Sequence, residues 1–196
     1  MTDPIENDSI DNLSLKHGLL LGFIAIVLAL VFYIIDPLLQ YTNVWLGLLS
    51  LIIIITMMVI LGLDIRKKIG GYWTFGQAFK SMFIMAVCIT VMANAYNFVL
   101  LKFVNPDLPT KANAVMLEKV TASLTESNVD QGKIDEYTKT FRNGEFIAKL
   151  QPTLKNEAIA LCIGILLYGI IGLIIAASIK RRAPLYAAPV DDESTV

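Results

Sequence analysis

The sequence predicts an all-α integral membrane protein with four transmembrane helices and an extramembrane amphipathic helical hairpin between the third and the fourth. Hydrophobic residues make up 56% of the 196 residues and charged residues 17%, whereas soluble domains are about one quarter charged. The apolar residues are concentrated in four runs that contain no Asp, Glu, Lys or Arg, and a long charged segment separates the last two. The runs are Gly18–Ile35, Val44–Leu63, Ser81–Leu101 and Ala158–Ile179.

The length of each run matches a bilayer-spanning helix, which needs about 20 residues at about 1.5 Å rise to cross about 30 Å of hydrocarbon. None of the runs shows the polar face at period 3.6 that is typical of a helix in a soluble core. The predicted domain organisation is therefore a four-helix transmembrane domain over residues 14–182, with an outer helical loop at 102–157. Disordered tails are expected at 1–13, which is acidic, and at 183–196.

The segment before the third run contains signals for a helix start. Gly70-Gly71 breaks the preceding helix, and Thr74 with Gln77 three residues later has the spacing of a capping box. The third helix is therefore expected to begin near Phe75. Aromatic residues surround this start and are expected at the level of the lipid headgroups: Tyr72, Trp73, Phe75 and Phe79.

The long loop contains two patterns of amphipathic helices. The first has Met116, Val120 and Leu124 at every fourth position. The second has Ile134, Tyr137 and Phe141 at i, i+3 and i+7, and Asn143-Gly144 is expected to end it. Acidic and basic residues are equally frequent in the loop, so no steering field is predicted there.

Basic residues predict the orientation. They crowd the short loop between the second and third runs and follow the fourth run at Lys180–Arg182, whereas Asp36–Asn43 has none. By the positive-inside rule both termini lie in the cytoplasm, at a bacterial inner membrane. His17, beside Lys16, is interpreted as an interfacial anchor without a partner at helical spacing; a proton carrier is the alternative.

Polar residues lie inside the third run. Thr90, Asn94 and Asn97 fall at i, i+4 and i+7, so they share one face in the outer half of the membrane. An amide that faces lipid lacks hydrogen-bond partners, so this face must contact protein or water. Two interpretations remain open: hydrogen bonds to neighbouring helices, or an intramembrane polar site that opens outward.

Small residues follow i+4 spacing on the fourth run and predict a helix-packing seam with one aromatic residue in its middle. A weaker signal of the same kind is the Gly-x-x-x-Gly of Gly18 and Gly22. The seam consists of Ala160, Gly164, Tyr168, Gly172 and Ala176.

The sequence favours a non-enzymatic role. It shows no nucleophile motif, phosphate-binding loop or metal-ligand cluster, so neither a cofactor nor a metal is predicted. Cys88 and Cys162 both fall within apolar runs, where they are expected to behave as small apolar residues. The net charge of −1 argues against nucleic-acid binding. The expected partners are the lipid bilayer and a membrane-protein partner or a second copy. The predicted function is that of an accessory or interaction component. The alternative is an oligomeric permease for ions or small molecules that uses the polar face of the third helix. A membrane enzyme is the third hypothesis.

Two short segments resemble a known family. The sequence Thr74–Lys80 (TFGQAFK) leads into the third run, and Phe103–Asp107 (FVNPD) follows it. Both are similar to segments of small four-helix bacterial membrane proteins grouped as domain-of-unknown-function family 4199. The resemblance covers roughly Leu15 to Arg182. It implies a polar helical loop before a Gly-rich last span, and it implies no activity or catalytic residues.

Overall fold

The computed structural model describes residues 4–181, with side chains from residue 10 onwards, and this part of the chain is helical. Four of its helices, α1, α3, α4 and α8, are long and apolar enough to cross a membrane, so the predicted all-α membrane fold is confirmed. A π-helical turn, Leu100–Val104, continues α4. The helices are α1 Pro4–Ile35, α2 Leu39–Thr42, α3 Val44–Lys68, α4 Phe75–Val99, α5 Leu108–Glu126, α6 Gln131–Arg142, α7 Glu145–Leu150 and α8 Leu154–Ile179.

Helix α4 forms the centre of the bundle. It packs along its length against α1 on one side and α8 on the other, and α3 packs chiefly against α1. The core around α4 is filled by Met82, Met85, Ala86 and Ile89, all of them buried. Met side chains adapt to irregular gaps, so they fill the space between helices that cross at different angles.

Glycines allow α1 to approach α4 closely. A Cβ atom built on Gly18 would lie 2.9 Å from Cys88 Cβ and 3.0 Å from Met85 Cα, and one built on Gly22 would overlap Met92. Contacts below 3.0 Å are not tolerated without movement. The Gly-x-x-x-Gly pair therefore lies at the α1–α4 interface, as small residues do between membrane helices.

The helix α1 begins well before the first apolar run. Residues 4–13, for which the sequence predicted a disordered tail, are helical. The reason is contact with the bundle: Ile10 is buried, and Asp11 Oδ2 accepts a bond of 2.6 Å from Lys80 Nζ. The predicted tail at 183–196 lies outside the described residues.

The connection between α3 and α4 follows the predicted signals. Gly70 and Gly71 adopt φ values of 92° and 87°, which residues with a side chain rarely adopt. Thr74 Oγ1 accepts a hydrogen bond from Gln77 N, and Thr74 N donates to Gln77 Oε1. This is the predicted capping box, and α4 begins at Phe75 as expected.

Trp73 is buried inside the bundle, and its place at headgroup level stays a prediction. Its side chain is 1% exposed, whereas Tyr72 is 47% exposed. The two-glycine turn brings the chain back across the end of α8, where Trp73 N donates to Arg181 O at 2.7 Å and Arg181 N donates to Trp73 O at 2.9 Å. Arg66 Nη1 also donates to Ile179 O, so both the end of α3 and the α3–α4 loop hold the end of α8.

Helices α5 and α6 pack against each other through Ile134 and Thr138, and Asn113 Nδ2 donates to Phe141 O at 3.1 Å. Tyr137, which the sequence assigned to the packed stripe, is 62% exposed. The buried positions are therefore i and i+4 and not i and i+3. Helix α6 ends at Arg142, before Asn143-Gly144 as predicted, and the short helix α7 that follows was not predicted.

The α5–α7 segment is anchored to the ends of the spans. Lys119 Nζ donates to Thr42 O at 3.1 Å, which ties α5 to α2. A second apolar cluster fixes the start of α5 against α1, α2 and α4. Its members are Tyr33, Leu38, Tyr41, Tyr96, Leu100, Leu101 and Leu108.

Candidate functional site

The polar face of α4 meets the small-residue seam of α8. A Cβ atom built on Gly164 would lie 2.5 Å from Thr90 Cγ2, and one on Gly172 would lie 3.0 Å from Met82 Cβ. The two spans are antiparallel, so four residues after Thr90 on α4 correspond to four residues before Gly164 on α8, and Asn94 lies near the level of Ala160. Both residues line one cavity.

The polar face does not bridge helices by hydrogen bonds. Thr90 Oγ1 donates to Ala86 O at 2.8 Å, and Asn94 Nδ2 donates to Thr90 O at 3.2 Å, so both bonds stay within α4. Asn97 is exposed and makes no side-chain hydrogen bond within the described residues. Within the described residues, Thr90 and Asn94 therefore donate to the carbonyl four residues earlier on α4 and not to a neighbouring helix.

The polar face opens into a cavity of about 330 Å³, which we call the polar cavity. Five elements contribute to it: α2, α4 with its π-helical turn, the end of α7, the α7–α8 turn and the start of α8. The π-helical turn lies at its wall, and such turns are frequent at functional sites. The lining residues are Gln40, Tyr41, Asn94, Asn97, Leu101, Lys149, Leu150, Gln151, Asn156, Glu157 and Ala160.

The polar cavity has one basic and one acidic side chain. Lys149 and Glu157 both line it, and neither has an ion-pair partner among residues 10–181. Asn156 Nδ2 donates to Ala148 O at 2.7 Å and to Gln151 O at 2.9 Å, which fixes the α7–α8 turn. Burial raises the pKa of the Tyr41 phenol above its ordinary value, so this side chain stays neutral.

The polar cavity is closed towards the other end of the bundle. Below Thr90, the interior face of α4 consists of Ile89, Ala86, Met85 and Met82, each at most 1% exposed. Over the described residues, this apolar stretch of α4 therefore separates the polar cavity from the opposite end of the bundle. The site is therefore accessible from one end of the bundle.

An apolar cleft of about 380 Å³ lies beside the polar cavity, between α1 and α3. A Cβ atom built on Gly47 meets no described atom within 4 Å. Tyr168, predicted in the α8 seam, faces this cleft, and Gln40 lines both the cleft and the polar cavity. The lining residues are Ala25, Leu28, Ala29, Phe32, Gln40, Leu46, Gly47, Ser50, Leu51, Ile54 and Tyr168.

His17 has a partner that its sequence context did not reveal. Its Nε2 lies 3.2 Å from Asp64 Oδ2, and Lys68 Nζ lies 2.7 Å from the same oxygen. His17 is 9% exposed, so its side chain is buried against the protein, and its interfacial position stays a prediction. The start of α1 and the end of α3 meet because these helices are antiparallel neighbours. Pairing of two membrane helices through such polar groups stabilises their contact.

Sequence reasoning singled out Asn94 and Asn97 of the polar cavity, and Ala160 as part of the α8 seam, and missed the other lining residues. Gln40, Lys149 and Glu157 lie in three other elements, and no spacing within the chain links them to Asn94. Among the described residues no group of three or more His, Cys, Asp or Glu side chains is placed to hold a metal ion, and Cys88 and Cys162 are unpaired with each other.

The fold defines a multi-pass membrane protein built as a four-helix bundle around α4. The model of a protein family of unknown function, DUF4199, matches residues 16–182. The chain belongs to this family, which confirms the resemblance seen in the sequence. No curated protein and no solved structure matches the chain significantly.

Proposed function

We propose that this protein is a non-enzymatic accessory or interaction component of a bacterial inner membrane, with both termini in the cytoplasm and the α5–α7 segment on the outer side. The orientation is supported by the basic residues at the α3–α4 loop and after α8, and by the absence of basic residues in the sequence of the opposite loop, Asp36–Asn43. Two copies or a membrane-protein partner are the expected assemblies.

The observation that carries this proposal is the anchored α5–α7 segment. Spanning the bilayer does not require it, yet a buried cluster and the Lys119–Thr42 bond fix it to the bundle. It presents Tyr137 at 62% exposure, and an ion pair of 2.8 Å joins Arg142 and Asp135 on another face of α6. Tyr and Arg are enriched at the energetic centres of protein interfaces. A rigidly held surface with these residues suits contact with another protein.

The proposal is tested by site-specific crosslinking in native membranes. A photoreactive amino acid at Tyr137 is expected to give one saturable adduct with a different membrane or periplasmic protein, because this side chain projects from the anchored segment. The matched control is Leu166, an exposed residue of α8 that is expected to contact lipid. Purified adducts are identified by mass spectrometry.

The crosslinking result also distinguishes the accessory role from the alternative function, a permease. The polar cavity favours an oligomeric permease for ions or small molecules, which would need a second copy because Met82, Met85 and Ile89 close the interior of one chain. Adducts with a second copy alone, together with solute flux in vesicles containing the purified protein, would support the permease. Equal adducts from Tyr137 and Leu166 would contradict the accessory role.

A further inference from the structure

We propose that the polar cavity and the apolar cleft together bind one phospholipid, whose headgroup carries a phosphate and a primary ammonium group. This inference goes beyond the accessory role and does not depend on it. The lipid would come from the leaflet at this end of the bundle. Its headgroup would lie in the polar cavity and one acyl chain in the cleft.

The two cavities are neighbours with opposite chemistry. Gln40 lines both, so the polar cavity and the cleft lie against the same side chain. Small residues of two helices, Ala25, Ala29 and Gly47, leave the space of the cleft. The cleft also contains Ser50, whose hydroxyl donates to Leu46 O at 2.9 Å. With that donor satisfied, the cleft presents a surface suited to a hydrocarbon chain.

The charges of the polar cavity match a zwitterion. Lys149 is placed to pair with a phosphate, and Glu157 is placed to accept from an ammonium group. The Asn94 and Asn97 amides add donors and acceptors near the same space. A lipid with a phosphate and no ammonium would leave Glu157 unmatched beside a second anion, which costs binding energy.

The cleft distinguishes a lipid from a free zwitterion. The polar cavity has a volume of about 330 Å³ and the cleft one of about 380 Å³. A free headgroup would occupy only the polar cavity. An acyl chain that displaces water from the cleft adds roughly 0.8 kcal/mol per methylene to the binding free energy. Where the cleft faces lipid, close packing of the chain against the protein contributes instead. The cleft therefore makes the lipid the favoured occupant of the site.

The test is native mass spectrometry of the full-length protein after its lipids are exchanged for detergent. The protein is titrated with phosphatidylethanolamine, with phosphatidylglycerol of the same acyl chains, and with free phosphoethanolamine. We expect phosphatidylethanolamine to bind at least about tenfold more tightly than phosphatidylglycerol, the effect of one charge-assisted hydrogen bond. Free phosphoethanolamine is expected to bind at least about tenfold more weakly than the lipid.

Two pairs of variants locate the site. A Cβ atom at Gly47 meets no described atom within 4 Å, so Gly47→Phe would place its ring in the cleft, and it is expected to weaken phosphatidylethanolamine binding about tenfold or more. The control is Gly76→Phe on α4, where the added side chain also meets no described atom, and it is expected to leave binding unchanged. Glu157→Gln is expected to abolish the preference for phosphatidylethanolamine, and Glu136→Gln, exposed on α6, is expected to keep it.

Each possible result is decisive. Equal binding of the two lipids, or of lipid and free phosphoethanolamine, would overturn the proposal, and the latter would identify a site for a soluble zwitterion. Unchanged binding by Gly47→Phe would show that the cleft holds no acyl chain. If Gly47→Phe is poorly folded, the proposal is still tested by comparing Glu157→Gln with the wild type in their preference for phosphatidylethanolamine over phosphatidylglycerol.

Discussion

Replacing Trp73 by alanine is expected to lower the free energy of unfolding by about 3–5 kcal/mol, the range for Trp→Ala at buried sites. The side chain is 1% exposed and belongs to the same buried cluster as Ile65 and Ile179. Its loss leaves a cavity where the α3–α4 loop, the end of α3 and the end of α8 meet. The main-chain bonds between Trp73 and Arg181 do not involve the side chain, so the measured loss reports packing.

The measurement is unfolding of the purified protein in mixed micelles as the fraction of denaturing detergent is raised. Tyr72→Ala is the matched control, because this neighbouring aromatic residue is 47% exposed. It is expected to cost less than about 1 kcal/mol, as exposed positions do. Equal losses for the two variants would show that Trp73 does not hold this end of the bundle.

Replacing Gly18 by leucine is expected to destabilise the bundle by about 1–3 kcal/mol or more, because it overpacks the α1–α4 interface. The first carbon of any side chain here would lie 3.0 Å from Met85 Cα, which is main chain and cannot rotate away. The remaining atoms of leucine would force α1 and α4 apart. Close approach supplies most of the attraction between membrane helices, so the separation weakens the whole contact.

The control for this substitution is Gly47→Leu. A Cβ atom there meets no described atom within 4 Å, so helix packing is expected to be unaffected, within about 0.5 kcal/mol. Both substitutions replace a helical glycine in an apolar span, and the difference isolates the interface. A loss at Gly47 as large as that at Gly18 would contradict close packing of α1 on α4.

Local signals predicted the elements of this fold and left their contacts open. Four uncharged runs predicted the spans, and Thr74 with Gln77 predicted the start of α4 at Phe75. These features depend on neighbours in the chain. The main-chain bonds of Trp73 join it to Arg181, and His17 lies beside Asp64. Nothing in the spacing of either pair indicated the contact, because helix packing determines it.

The same distinction applies to the candidate site. The spacing of Thr90, Asn94 and Asn97 predicted a polar face on one helix, and the structure shows Asn94 and Asn97 lining a cavity while Thr90 is buried against Gly164. Of the two interpretations left open, hydrogen bonds to other helices are not formed by Thr90 and Asn94 within the described residues, because each donates to a carbonyl of α4 itself. Periodicity shows which side of a helix is polar, and it does not show which groups from other helices face that side.

In the proposed orientation of the four-helix bundle, both termini lie inside and α5–α7 lies outside. This orientation is tested most directly by labelling single cysteines with a membrane-impermeant maleimide on intact bacterial cells, in a background of Cys88→Ala and Cys162→Ala. The two probes are Glu136→Cys on α6 and Tyr72→Cys in the α3–α4 loop, both exposed. We expect reaction at position 136 alone, with reaction at 72 only after the cells are opened. Reaction at position 72 alone in intact cells would contradict it.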